Sequence, residues 1–291
     1  MCEIKEVRAI YTFMKVKGIG VTRTNKELAS YKQQIGAMWT LEEWLLSVLN
    51  SEQKAEYHAQ YVTVDDLKIN RNDIYFNTVL DQSYPATLKS LLKLNTPPVL
   101  SMIGNTQLLA NKTVGFSGSR KVSDKGIAVT RDCVEQLAQV PGLSIVSGYA
   151  QGVDKEAHYT ALASGGSTII VLPNGLSSFY VRQELKDVWD WNRVLVISEY
   201  LPEDKWSVSR AMNRNNTIIG LSDSMVVVEA GLTGGSMDAG LRTLEDRKPL
   251  YVPVYAEYPE SALGNRVLLE KGARGICRSR QSSRANVMAL L

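Results

Sequence analysis

Residues 113–154, TVGFSGSRKVSDKGIAVTRDCVEQLAQVPGLSIVSGYAQGVD, constrain the fold more than any other stretch of this chain. The apolar residues 114–116 enter a turn of Ser117, Gly118, Ser119 and Arg120. Ile127, Val134, Leu137 and Ala138 then share one helical face, and Pro141-Gly142 stops the helix. A second apolar run, residues 143–146, enters the small-residue turn Ser147-Gly148-Tyr149-Ala150-Gln151-Gly152. Strand, glycine turn and helix, twice over, is the pattern of a parallel sheet with crossover helices.

Turns of this kind lie at the carboxyl ends of strands, where open α/β sheets bind ligands. Glycines let the backbone approach a ligand, and the following helices aim unsatisfied N–H groups at it, which suits a phosphate. Arg120 adds a planar charged fork that grips phosphate oxygens in pairs. A dinucleotide fingerprint needs G-x-G-x-x-G with a carboxylate about 20 positions later. Here Gly115 and Gly118 are three apart and the second strand ends in Ser147-Gly148, so no NAD site is expected. The P-loop ending in Gly-Lys-Ser/Thr is also absent, and no cofactor is implied.

With 291 residues the chain accommodates an α/β domain of about 200 residues and a smaller one. A net charge of +3 announces no globally basic nucleic-acid binder, so any such partner must meet a local patch. No run approaches the roughly 18 apolar residues of a membrane helix, and the start, MCEIKEVRAI, is too charged for a secretory signal; a cytoplasmic protein is expected. Cys2, Cys133 and Cys277 are scattered, which fits reduced thiols, and no residue grouping has metal-ligand spacing.

Residues 1–70 read as a small all-helical domain. Lys17-Gly18-Ile19-Gly20-Val21 has the form of a helix-hairpin-helix, whose amides touch DNA phosphates, or equally of a tight helical corner. Thr24 is expected to cap the next helix, Thr40 to Glu43 to form a capping box, and Trp39 and Trp44 to lie in the core. Residues 71–112 read as a connector packing on the main domain, with a strand near 99–102. Residues 113–275 form the main domain, with further strands near 167–172, 193–197, 225–228 and 250–254. The polar run 210–216 precedes an apolar helix at 217–221, and Thr233-Gly234-Gly235-Ser236 opens another. Residues 276–291 are expected to be a mobile basic tail carrying Arg278, Arg280 and Arg284.

In order along the chain, GSR (118–120), SGYAQGVDKEAH (147–158), VLPNGL (171–176), SEY (198–200), RNNTIIGLSD (214–223), VVVEA (226–230), TGGSMDAG (233–240) and GNRVLLEKGA (264–273) resemble the DprA/Smf family of bacterial DNA-processing proteins. The resemblance spans about residues 80–275. It implies an extended Rossmann-like fold with a doubly wound, mainly parallel sheet. It further implies a non-enzymatic homodimer that binds and protects single-stranded DNA and loads the RecA recombinase during recombination and natural transformation. Carried over by position, it puts Gly118, Ser119, Arg120, Ser147, Gly148, Gln151, Arg182, Arg214, Asn215, Gly234, Gly235 and Ser236 around a DNA-phosphate site.

The family's usual Arg-Asn-Arg is here Arg214-Asn215-Asn216, and its Ala-Arg-Gly-Ile-Asp is Ala150-Gln151-Gly152-Val153-Asp154, two positive charges fewer. The winged helix that ends many members is not expected in the stretch after Ala273. Tyr149, Phe179 and Tyr180 offer rings for stacking on bases. One alternative reading is a sensor of free nucleotides in the same pocket. Another is a phosphoribohydrolase-like enzyme, although Thr233 to Ala239 does not reproduce that group's catalytic glutamate. Asp154 and His158, four apart, form a candidate pair that braces the glycine turn.

Overall fold

The computed structural model describes residues 3–34, 39–63, 74–279 and 284–290, so the readings made for Cys2 and Arg280 lie outside the described residues. The chain forms two units. One comprises residues 1–103, 174–179 and 197–206; the other comprises residues 104–173, 180–196 and 207–291. No helix among the described residues is long and apolar enough to cross a membrane.

The first unit opens with helices α1 (Ile4–Lys15), α2 (Val21–Gln33), α3 (Leu41–Ser47) and α4 (Ser51–Ala59). Val7, Ile10, Tyr11 and Phe13 of α1 bury against Leu28, Leu41, Leu45 and Tyr57. Reciprocal capping boxes start α3 (Thr40 with Glu43) and α4 (Asn50 with Gln53), each satisfying two otherwise orphaned amides. Thr24 is not a cap. Gly18 at φ +79° tightens the corner, α2 begins at Val21 behind Gly20, and the buried Thr24 hydroxyl donates to the Gly20 carbonyl at 3.0 Å. Trp39 is also not core: it is 48% exposed. It precedes the Thr40 cap and meets the edge of Trp44 at 6.3 Å, the spacing of a hydrophobic staple. In the same unit β1 (Ile74–Thr78) pairs antiparallel with β2 (Val99–Gly104), with α5 (Ala86–Leu92) between them in sequence.

The second unit carries β3 (Lys112–Ser117), α6 (Asp124–Leu137), β4 (Leu143–Ser147), α7 (Val153–Ala163), β5 (Ser167–Leu172), the larger part of β6 (Val194–Ser198), α8 (Val208–Leu221), β7 (Ser224–Val227), α9 (Gly235–Glu245), β8 (Leu250–Pro253), α10 (Leu263–Glu270) and β9 (Arg274–Ile276). Its strands run in the order β6-β5-β4-β3-β7-β8-β9. β3 pairs in parallel with β4 and β7, β4 with β5, β7 with β8, and β8 with β9. The two-residue period of β3 shows why helices cover both faces. Val114 and Phe116 pack on Cys133, Val134 and Leu137 of α6 and on Val153, Ala157 and Ala161 of α7. Gly115 faces the other way, where an added Cβ would come within 2.4 Å of the Ser222 hydroxyl just after α8. This is the doubly wound, mainly parallel α/β fold.

The tail differs from its reading as a mobile segment. Ala285, Val287 and Leu290 are buried in the α6 cluster, and Arg284 pairs with Asp132 at 2.5 Å and Glu135 at 2.9 Å. Burying three apolar side chains outweighs the pull of solvent on the neighbouring arginines.

Candidate nucleic-acid interface

Strands β3, β4, β5 and β6 are laid down outward on one side, and the chain then returns to place β7 on the other side of β3. That reversal opens a crevice at the carboxyl ends of β3 and β7, where sheets of this type hold ligands. The turn after β3 carries Gly118, Ser119 and Arg120. The turn after β4 carries Gly148 and Gln151, and the one after β7 leads to Gly234, Gly235 and Ser236 at the start of α9.

The first two turns interlock. An added Cβ on Gly118 would come within 2.4 Å of Val153, and one on Gly152 within 2.2 Å of the Ser119 carbonyl and 2.9 Å of Arg120 Cα. The Val153 amide donates to the Ser119 carbonyl at 3.4 Å, while the Ser119 amide donates to the Glu229 carbonyl beyond β7 at 2.9 Å. Arg120 is exposed at the rim of these turns, as is Gln151.

Arg214 and Asn215 reach the crevice differently from the sequence reading, which places 210–216 ahead of a helix. The helix starts at Val208, capped by the Ser207 hydroxyl accepting from the Arg210 amide at 3.2 Å. Arg214, Thr217, Ile218 and Leu221 then form its buried face at the i, i+3, i+4, i+7 spacing. The guanidinium of Arg214, 6% exposed, lies against Gly148: a Cβ there would sit 1.8 Å from Nη1 and 2.5 Å from Asp154 Oδ2. Only glycine fits this approach. Asn215 donates to the Gly235 carbonyl at 3.3 Å, tying α8 to the start of α9. No side chain caps α9, and Gly234, at φ +99°, has open space where a side chain would be. Its first-turn amides suit an anion.

Ser147 is fully buried and donates to the Phe116 carbonyl at 2.7 Å, so its hydroxyl ties β4 to β3 inside the unit. Arg182 lies 4.3 Å over the ring of Tyr149, its guanidinium donates to the Tyr149 carbonyl, and its amide donates to the Tyr149 hydroxyl at 3.0 Å. One face of Tyr149 is therefore covered, and its hydroxyl donates to the Tyr180 carbonyl at 3.2 Å. Tyr180, 68% exposed, presents its ring to solvent.

Asp154 and His158 do not bond to each other. Asp154 Oδ2 accepts from the Ala150 amide at 3.2 Å. The fully buried His158 ring sits between Thr168 Oγ1, 2.7 Å from Nδ1, and the Gly148 carbonyl at Nε2. A carbonyl only accepts, so Nε2 carries the proton. Burial pulls this imidazole down to about 4; Arg182 and Arg214 push the same way, while the Gly148 bond and Asp154 oppose. The histidine is thus a neutral brace beneath the second glycine turn. The sequence reading gave no role to the buried Glu229, whose signals were its place at the end of the apolar run 225–228 and in the motif VVVEA. Among the described residues no group of three potential metal ligands gathers.

The sequence profile of the family described as DNA recombination-mediator protein A matches residues 75–285. The DNA processing protein DprA of Streptococcus pneumoniae is 28% identical over 269 residues, covering 91% of this chain and 93% of that protein. The X-ray structure of DprA from Streptococcus pneumoniae matches with a TM-score of 0.77 and 25% identity over 94% of this chain and 95% of that one. A structure of Helicobacter pylori DNA processing protein A, described for its single-stranded DNA binding mode, matches with a TM-score of 0.59 and 28% identity over 69% of this chain and 90% of that one. With a profile match over more than half of its length and a mainly parallel fold shared with these structures, the chain belongs to the DNA recombination-mediator protein A family.

Proposed function

We propose that this protein is a non-enzymatic binder of single-stranded DNA that protects the strand and delivers it to a RecA-type recombinase, in recombination and natural transformation, as a homodimer. The observation that carries the reading is the interlocking of the glycine turns after β3 and β4, the first of them tied to Glu229 at the carboxyl end of β7. Arg120 at their rim and the uncapped start of α9, with Gly234, Gly235 and Ser236, offer a guanidinium and backbone amides to a sugar-phosphate chain. Gln151, Ser119 and Asn215 add neutral donors beside them. Buried Ser147, Gly148 and Arg214 shape the turns from below, and Arg182 orients Tyr149. Phosphate contacts carry no sequence information, and the exposed ring of Tyr180 stacks on any base. The Helicobacter pylori relative, described as a single-strand binder, supports the same assignment.

Competition measures whether the site takes a strand or a free nucleotide. Unlabelled oligo-dT is expected to displace a labelled oligonucleotide more effectively as its length grows, with log affinity falling by roughly 0.7 per log salt for each phosphate held. Displacement by dTMP as effective as by long oligo-dT overturns the reading in favour of a nucleotide sensor.

A further inference from the structure

We infer that Glu229 is the positioning residue for Arg120, an inference that rests on the single-strand reading of the same surface. Glu229 is fully buried, yet every one of its oxygens is used. Its backbone carbonyl accepts from the Ser119 amide at 2.9 Å. Its Oε2 accepts from the Ser123 amide at 2.9 Å and from the Ser261 hydroxyl at 2.6 Å, and its Oε1 accepts from the Ser123 hydroxyl. Residues 119 and 123 flank Arg120, so one residue holds both ends of the loop that presents the guanidinium.

The hold continues into the helix behind it. The Ser123 hydroxyl also accepts from the Gly126 amide at 3.1 Å as the cap of α6. A Cβ on Gly126 would lie 2.5 Å from Oε1, so glycine permits this approach. Glu229 is itself anchored: Asn265 accepts from the Ala230 amide at 2.9 Å and donates to the Val228 carbonyl at 2.9 Å. On the other side of the loop Gly152 packs against the Ser119 carbonyl and Arg120 Cα. The Arg120 backbone is clamped between Glu229 and Gly152. A loop ordered before the ligand arrives does not lose that freedom on binding, and affinity rises accordingly.

Amide hydrogen exchange without DNA and oligo-dT affinity together test the inference. In Glu229→Ala, exchange at the Ser123 amide is expected to rise and oligo-dT affinity to fall about tenfold, the effect of freeing a residue or so of backbone, while the Ser119 amide keeps its bond to the backbone carbonyl of residue 229. Adding Arg120→Ala to that variant should cost little more, since an unpositioned guanidinium contributes little. Glu229→Gln should restore both readouts, because its carbonyl can accept from the Ser123 amide and Ser261 while its amide donates to the Ser123 hydroxyl. If Glu229→Ala does not fold, Ser261→Ala and Ser123→Ala each remove one donor that fixes the carboxylate and are expected to raise exchange at the 123 amide. Unchanged exchange at 123, or losses from Glu229→Ala and Arg120→Ala that simply add, overturns the inference. If the wild type binds no oligo-dT, the single-strand reading fails, and exchange alone still decides whether Glu229 orders the loop.

Discussion

Replacing Gly152 by alanine is expected to destabilise the fold by about 2–5 kcal/mol, because two independent costs meet at this residue. Its φ of +81° lies in the left-handed region, which costs an L-residue about 1–2 kcal/mol. The new Cβ would also lie 2.2 Å from the Ser119 carbonyl oxygen and 2.9 Å from Arg120 Cα. Both are backbone atoms, so neither can swing aside as a flexible side chain would, and overpacking of this kind costs about 1–3 kcal/mol. Gly165 provides the control. It has the same φ, +81°, but nothing within 4 Å of an added Cβ, so Gly165→Ala carries the backbone cost alone. Urea unfolding of the two variants measures the difference. Equal midpoints would mean that the two glycine turns are not packed as tightly as the structure has them.

The second large effect is a pH dependence centred on His158. The ordinary imidazole value is 6.5, and burial in the folded protein pulls it to about 4. Between those values the unfolded chain binds a proton that the folded chain does not, so stability rises with pH across the window. The contribution is complete above about pH 6.5 and is lost as the pH falls toward 4, a difference on the order of 3 kcal/mol. His158→Gln removes the titration while keeping a donor for the Gly148 carbonyl. Its unfolding free energy should therefore change less between pH 7 and pH 4.5 than that of the wild type. Identical pH slopes for wild type and His158→Gln would remove the ring from the account.

The sheet was legible because its signals are local. The alternation of Val114 and Phe116, the stop at Pro141-Gly142 and the small-residue turns each report a period or a break that the chain imposes on itself. The gathering of residues at the carboxyl ends of β3, β4 and β7 was legible for the same reason, since glycine turns after parallel strands share one edge of a sheet. Arg214 was harder to place. Polar residues 210–216 look like a loop, and only the Ser207 cap and the i, i+4 relation of Arg214 to Ile218 carry the helix back to Val208. Nothing in the sequence says that Arg214 is buried against Gly148, because that approach joins positions 66 residues apart, one in α8 and one beyond β4. The docking of residues 284–290 was hidden likewise: Ala285, Val287 and Leu290 follow the basic run that ends at Arg284, and their burial depends on packing in the cluster that α6 shares. Trp39 shows the reverse, a large apolar ring that reads as core yet staples a helix start from outside.

Fluorescence anisotropy with labelled oligo-dT and a duplex of equal length, at low and moderate salt, puts the central claim to the most direct test. Preferred binding of the single strand, weakened by salt, is expected for the wild type. Arg120→Ala should bind the strand about tenfold more weakly, with the salt slope shallower by about 0.7 because one phosphate fewer is neutralised. Equal affinity for strand and duplex, no binding to either, or an Arg120→Ala curve that overlays the wild type would contradict a single-strand site at the carboxyl ends of these strands.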